Sequence, residues 1–148
     1  MTWSLFFVLQ ELDAQIESLR DELRLADTLP DGRNAHLEER SAAARREATS
    51  IRATLDAREA KRAETAAGLP EAYVRRYDRL RTQQKLRPWV VGLTGKHCPA
   101  CNLVLPSAFL SDARRTGEPV SCPNCHRMLI WRSDPIPSSG AAQGGSGR

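Results

Sequence analysis

Two short cysteine motifs decide the fold of the C-terminal part of the chain: Cys98-Pro99-Ala100-Cys101 and Cys122-Pro123-Asn124-Cys125. In each motif two residues separate the cysteines, so that both thiolates can bind the same metal ion. The twenty residues between the motifs, 102–121, give a spacing typical of four-cysteine zinc sites. Zinc takes four ligands in a tetrahedral arrangement, and four thiolates leave no open coordination position. The motifs therefore predict one structural Zn²⁺ ion per chain.

Other interpretations of these cysteines remain open. A single Cys-x-x-Cys motif is also typical of a redox-active pair, but two motifs in tandem without a surrounding βαβ pattern favour a shared metal. His97 and His126 lie next to the cysteines and are alternative ligands, although four cysteines already complete the site. Asn102 and His126 follow the motifs, where the backbone often needs a positive φ. Both residue types are enriched among the non-glycine residues that tolerate it.

Residues 5–26 show the apolar periodicity of a coiled-coil helix. Apolar residues recur at alternating spacings of four and three, and the positions between them are almost all polar. The alternative is an ordinary amphipathic helix packed on a globular core. The predicted seam consists of Leu5, Leu9, Leu12, Ile16, Leu19, Leu23 and Ala26.

A turn at Pro30-Asp31-Gly32 separates this helix from a second, longer one predicted over 34–66, part of which must overhang. The two helices are expected to form a hairpin. At the same spacing the second seam is weak, because small or polar residues occupy much of it: Leu37, Ser41, Ala44, Ala48, Ile51, Leu55, Arg58 and Arg62. The first helix of a second chain would be a better partner. This predicts a homodimer, as an alternative, that buries Leu9, Leu12, Ile16 and Leu19.

A third helix is predicted over 70–84, with Pro70 in its first turn. Tyr73, Tyr77 and Leu80 share one face, which we interpret as core rather than as a platform for base stacking. Short strands are expected at 89–93, 119–121 and 128–131.

These patterns predict a mainly α fold in which a small antiparallel β zinc ribbon follows the helices. The expected organisation is a coiled-coil hairpin at 1–67, a connecting basic helix at 68–87 and the ribbon at 88–133. The tail, 134–148, is rich in Pro, Ser and Gly and is expected to be disordered.

Charge is distributed unevenly along the chain. The formal net charge is +4, but residues 1–66 carry −3 and residues 67–148 carry +7. The basic half is either an ordinary solvated surface or a nucleic-acid site without sequence preference. Trp89 and Trp131 flank the ribbon, either stacking on unpaired bases or serving as its hydrophobic cover. The candidate phosphate contacts are Arg75, Arg76, Arg79, Arg81, Lys85, Arg87 and Lys96.

Several classes of protein are not indicated. The sequence has no glycine-rich phosphate loop, no H-E-x-x-H motif and no nucleophile with a partnered base, so we expect no catalytic residues and no enzyme. The apolar run near the N-terminus is too short for a membrane span and lacks the charged start of a signal peptide. We therefore expect a cytoplasmic protein, in which thiols stay reduced and bind metal rather than form disulfides.

The motifs resemble those of the bacterial C4-type zinc ribbon domain proteins, which carry an N-terminal coiled-coil hairpin. The similar stretches, within residues 9–131, are Leu9-Gln10-Glu11-Leu12-Asp13 through Leu29-Pro30, Leu69-Pro70-Glu71 with Tyr77-Asp78-Arg79-Leu80-Arg81, and Cys98-x-x-Cys101, Leu105-Pro106 and Cys122-Pro123-x-Cys125-x-Arg127-x-Leu129. The arm here is shorter than is usual in that family. Pro99, Asn102 and His126 stand in place of its usual glycines.

The resemblance implies a non-enzymatic adaptor or regulator that binds RNA, DNA or transcription-related proteins. We expect first an adaptor that recruits protein partners through its coiled coil and ribbon. The alternative is a regulator that binds RNA or DNA through the ribbon and the neighbouring arginine-rich helix.

Overall fold

The structure, a computed structural model, describes residues 3–28 and 35–132. The chain divides into two compact units, Met1–Trp89 and Val90–Arg148. The turn predicted at 30–32 and the tail predicted at 134–148 lie outside the described residues. Among the described residues, no helix is both long enough and apolar enough to cross a membrane. The elements, in chain order, are α1 (Leu5–Asp27), α2 (Ala35–Ala67), α3 (Glu71–Gln83), β1 (Val90–Leu93), α4 (Ser107–Thr116), β2 (Val120–Ser121) and β3 (Met128–Trp131).

Helices α1 and α2 form an antiparallel hairpin, as the sequence predicts. Two ion pairs define the alignment: Arg20 with Glu59 at 2.6 Å and Arg52 with Asp27 at 2.9 Å. The second helix is the longer of the two, with 33 residues against 23 in α1. The middle of the predicted seam is buried, including Leu9, Leu12, Ile16, Ala44 and Ala48.

Helix α3 contributes an aromatic face to the same unit. Tyr77 is fully buried, its ring centroid 5.8 Å from that of Phe6, while Tyr73 meets Trp3 edge-on at 4.9 Å. Leu80 is buried on the same face. The interpretation of this face as core rather than as a base-stacking platform is confirmed.

Trp89 belongs to the core of the helical unit, which corrects the expectation that it covers the ribbon or stacks on bases. Its side chain is 1% exposed and lies edge-on to Tyr77, with 6.3 Å between ring centroids. Its backbone N–H donates to Oε1 of Gln10 at 2.6 Å, and its indole N–H donates to the carbonyl of Gln84 at 2.7 Å. These contacts use both donors of the residue inside the first unit, so its ring has no free face for a base.

The second unit contains a three-stranded sheet in the order β1-β3-β2. Strands β2 and β3 are antiparallel, with Val120 opposite Leu129, as predicted. Strand β1 runs parallel to β3, with Val91 opposite Leu129, so the prediction of an entirely antiparallel ribbon is wrong. Parallel neighbours need a crossover connection, and the segment between β1 and β3, which contains both cysteine motifs and α4, provides it.

Helix α4 lies between the cysteine motifs and was not predicted. It begins after Pro106 and ends at Thr116, and the next residue, Gly117, has a φ of 65°, the left-handed conformation that favours glycine. Leu110 and Ala113 are buried on its inner face. The proline before the helix and the glycine after it were the sequence signals that could have located it.

Candidate metal centre

The four cysteines converge on one point, although two loops separated by α4 carry them. One sulfur from each residue lies within 4.8 Å of all the others. The Sγ atoms of Cys98 and Cys125 are 3.7 Å apart, and so are those of Cys101 and Cys122. No disulfide joins these four described cysteines, since 3.7 Å is far longer than a disulfide bond of about 2.05 Å.

This spacing fits a tetrahedral zinc ion. With Zn–S bonds of about 2.3 Å, the edges of the tetrahedron are about 3.8 Å long. The donor set, four thiolates, is the one that closed structural zinc sites use. Cys98, Cys101, Cys122 and Cys125 therefore hold one structural zinc ion. In the part of the chain that the structure describes, the group of potential metal ligands contains neither His97 nor His126.

Each motif forms the same tight turn around the metal position. In the first, the N–H of Asn102 donates to the carbonyl of Cys98 at 2.8 Å, and the N–H of Cys98 donates to the carbonyl of Leu103 at 2.9 Å. In the second, His126 and Cys122 make the equivalent bonds at 3.0 and 2.9 Å, the latter to Arg127. These bonds fold each loop so that its two sulfurs point to the same side.

The turns require a left-handed residue at their fifth position. Asn102 and His126 both have a φ of 60°, and they are the non-glycine residues with positive φ in the described chain. The prediction that these positions need positive φ is confirmed. Asparagine and histidine tolerate this conformation better than most residues do.

The zinc position is part of the hydrophobic core of the second unit. Cys98 and Cys122 are fully buried, while Cys101 and Cys125 are half-buried. The apolar residues around the sulfurs come from all three strands, α4 and the first cysteine loop: Val91, Leu93, Leu105, Leu110, Leu129 and, partly buried, Leu103, Phe109, Val120 and Trp131. Without the metal, the sulfurs inside this core would be either thiolates that repel one another or protonated thiols.

Burial and hydrogen bonding act on the thiols in opposite directions. Burial raises the pKa of Cys98 to about 12 and also raises the pKa of Cys122. A hydrogen bond from the Asn124 side chain, helped by the N–H of Leu103, lowers the pKa of Cys101 to about 6. At neutral pH without metal, the buried thiols hold their protons while Cys101 is a thiolate.

The residues predicted to contact phosphates are placed in different ways. Arg81 donates to the buried carboxylate of Asp13 at 2.6 Å, and its side chain is only 24% exposed. Its guanidinium is therefore engaged inside the helical unit. Arg75 pairs with Glu71 at 3.0 Å and Arg87 with Glu17 at 3.8 Å, in exposed contacts. Arg76 is half-buried. Arg79 and Lys85 are exposed in the first unit, and Lys96 is exposed in the second.

A buried polar cluster in the first unit was missed by the sequence analysis. Asp13 is fully buried, and its carboxylate accepts hydrogen bonds from Arg62 at 2.6 Å, Arg81 at 2.6 Å and the Tyr77 hydroxyl at 2.8 Å. Arg62 also binds Asp78. Burial and the charge of Asp13 raise the pKa of Tyr77, which keeps its hydroxyl a donor. One feature of the sequence could have indicated this cluster: Arg62 is a charged residue at a position of the second seam, where an apolar residue is expected.

A family model of known proteins agrees with the metal centre. Residues 97–129 match the family model of the C4-type zinc ribbon domain, and this segment is a zinc ribbon. No curated protein matches the chain significantly. The solved structure of CT398 from Chlamydia trachomatis is similar at 14% identity and a TM-score of 0.44, over 87% of this chain and 82% of that chain.

Proposed function

We propose that the protein is a non-enzymatic adaptor that recruits protein partners through its helical unit and its zinc ribbon. One observation carries the proposal: four cysteines close the metal site. A zinc ion with four thiolate ligands has no position for a water molecule or a substrate, so it stabilises the fold and performs no catalysis.

The form of the first unit supports recruitment. Its longest helix, α2, has 33 residues, and a helix of this length presents a long surface relative to its mass. Charged side chains cover that surface, for example the exposed pair of Arg52 and Asp27. Surface ion pairs of this kind contribute at most about 1 kcal/mol each to stability, so a partner can replace them at small cost.

The test is capture of partners by the zinc-loaded full chain in an extract of the native host. The same extract is divided, and one half is treated with nuclease. We expect a specific protein to be retained in both halves, and its direct binding to be reproduced with purified components. Retention of nothing, or loss of all retained protein after nuclease treatment, would overturn the adaptor proposal.

Nucleic-acid binding is the second candidate, and the exposed cations of the first unit favour it. Arg79 and Lys85 are exposed, and the pairs of Arg75 with Glu71 and Arg87 with Glu17 are exposed enough to open. Against it, Arg81 is bound to Asp13 and Trp89 is buried, which removes one predicted phosphate contact and one predicted stacking ring.

The second candidate is tested with labelled single-stranded RNA and duplex DNA at two salt concentrations. Phosphate contacts release counterions, so the affinity must fall steeply as salt rises. Replacement of Arg75, Arg76 and Arg79 by Ala should weaken binding and reduce its salt dependence. The matched control also removes three positive charges, but from α2: Arg40, Arg46 and Arg58 are replaced by Ala. Equal effects of the two triple variants would show that α3 is no specific site.

A further inference from the structure

A small basic groove lies on the zinc ribbon, on one side of α4. Its volume is about 420 Å³, within the range of pockets that take compact ligands. Buried Leu110 contributes apolar surface, and hydroxyls and cations surround it. The lining residues are Lys96, Ser107, Leu110, Ser111, Arg114 and Arg115.

Two of the three cations in the groove are available to a ligand. Lys96 and Arg114 are both exposed at the groove. Neither forms an ion pair with another described residue. Arg115 pairs with Asp112 at 3.3 Å, and both side chains are about 70% exposed (73% and 69%). An exposed pair of this kind is weak, so Arg115 adds positive potential to the groove.

The guanidinium of Arg114 is held in place by an aromatic ring. Its Cζ lies 4.3 Å from the ring centroid of Trp131, within the range of a cation–π contact. Trp131 itself packs on the hydrophobic core of the ribbon. Stacking covers the face of the guanidinium and leaves its N–H edge for a carboxylate, which it can bind with two parallel hydrogen bonds. A side chain ordered in advance loses less entropy when it binds.

We propose that this groove binds an acidic peptide segment of a protein partner, with Asp or Glu side chains on Lys96 and Arg114 and an apolar side chain on Leu110. This inference rests on the adaptor function and names the chemistry of its partner. Nucleic acid fits less well. The ring of Trp131 is covered by Arg114 and is not free for a base, and the groove is compact, whereas single-stranded binding sites follow an extended basic track.

The experiment uses the zinc-loaded full chain and a short labelled peptide that alternates Glu with Leu and is blocked at both ends. The matched probe has Gln in place of Glu. We expect the Glu peptide to bind at low salt, more weakly as salt rises, and the Gln peptide to bind at least about tenfold more weakly. Single-stranded RNA, added as a competitor, should not displace the peptide.

Protein variants assign the site. Lys96→Glu and Arg114→Glu should each weaken peptide binding about tenfold or more. Arg114→Lys should weaken it severalfold, because lysine keeps the charge but lacks the planar fork. Arg79→Glu makes the same charge change in the first unit and should leave the affinity unchanged within about twofold. Zinc content confirms that each variant ribbon is folded.

The outcomes separate this inference from the proposed function. If the Glu peptide does not bind, or binds equally to the Lys96→Glu, Arg114→Glu and Arg79→Glu variants, the groove is not the site. If RNA displaces the peptide, the groove is a nucleic-acid site instead. If a host protein is captured equally by wild type and by both charge-reversed ribbons, the adaptor function stands and the groove inference fails. If no host protein is captured, the adaptor function itself fails.

Discussion

Two single residues make the cysteine turns possible. Asn102 and His126 each hold a φ of 60°, and the following hydrogen bonds depend on it. Both side chains are exposed, so the backbone conformation, rather than a packing contact, is the main demand at these positions.

We expect Asn102→Gly to preserve zinc affinity and Asn102→Val to reduce it. A β-branched residue in the left-handed region costs about 1–2 kcal/mol, and because metal binding and ribbon folding are coupled, this weakens zinc binding about tenfold. Competition with a chelator measures the difference. His126→Gly and His126→Val should show the same order. Equal affinities for the valine and glycine variants would contradict the argument.

At the same scale, the Asp13 carboxylate accepts hydrogen bonds from two arginines inside the helical unit. Its side chain is fully buried, while Arg62 and Arg81 are 21% and 24% exposed. Removal of one partner from such a cluster leaves uncompensated charge in a poorly solvated site.

We expect Asp13→Ala to lower the free energy of unfolding of the helical unit by about 3 kcal/mol. Urea unfolding followed by helical circular dichroism is the measurement. Asp78→Ala is the control, because Asp78 is 41% exposed and Arg62 keeps its bond to Asp13. Its cost should be about 1 kcal/mol or less. Comparable losses in the two variants would show that the burial of Asp13 is not what matters.

At the scale of the structural elements, the folding of the zinc ribbon depends on its metal ion. Its strands have four, two and four residues, and its core contains two of the zinc ligands. Strands this short bury too little apolar surface to be stable alone, and zinc binding supplies the missing free energy, on the order of 10–16 kcal/mol for such sites.

We expect Cys122→Ser to abolish stoichiometric zinc binding and to unfold the ribbon while α1, α2 and α3 persist. The helices pack within the other compact unit and make no use of the metal. Elemental analysis should give one zinc per chain for the wild type and much less for the variant, with most of the helical signal retained. Full retention of zinc by the variant would exclude Cys122 as a ligand.

Zinc affinity should decrease as pH falls. Burial raises the pKa of Cys98 to about 12 and that of Cys122 above its usual value, so at neutral pH both must lose a proton to bind zinc. Cys101, with a pKa of about 6, is already a thiolate at pH 7–8. The two protons displaced from Cys98 and Cys122 alone change the zinc affinity by about a hundredfold per pH unit, which is the minimum slope expected. Chelator competition across pH 7–8 gives this slope, and a pH-independent affinity would contradict it.

At the scale of the whole molecule, the burial of the first helix's seam favours a monomer over the homodimer that the sequence offers as an alternative. We expected a second chain to bury Leu9, Leu12, Ile16 and Leu19. The first three are at most 6% exposed within one chain, and Leu19 is half-buried. The hydrophobic gain that would drive pairing of two first helices is therefore largely realised inside the hairpin.

We expect light scattering at high micromolar concentration to give the mass of a monomer, 16.5 kDa. Zinc-loaded protein should be used, so that unfolded ribbons do not associate. Leu19→Lys, which alters the remaining half-buried seam residue, should leave the mass unchanged. A dimeric mass that this substitution reduces would restore the original expectation.

The sequence by itself determined the features that repeat over short distances. The metal ligands follow from two Cys-x-x-Cys motifs, because their spacing alone brings each sulfur pair together. The first helix follows from the alternating spacing of its apolar residues. The positive φ at Asn102 and His126 follows from their place after each motif. Each of these inferences uses residues within a turn or two of one another.

Only the tertiary structure decided the features that join distant residues. Asp13 meets Arg62, Tyr77 and Arg81 across 49, 64 and 68 positions, and no local pattern specifies such pairs. Strand β1 pairs in parallel with β3, and the helix and both cysteine loops between them permit this pairing but do not determine it. Trp89 packs in the helical unit because Gln10 and Gln84 satisfy its donors there. Spacing along the chain determines local geometry, whereas these contacts depend on where the packed elements bring each side chain.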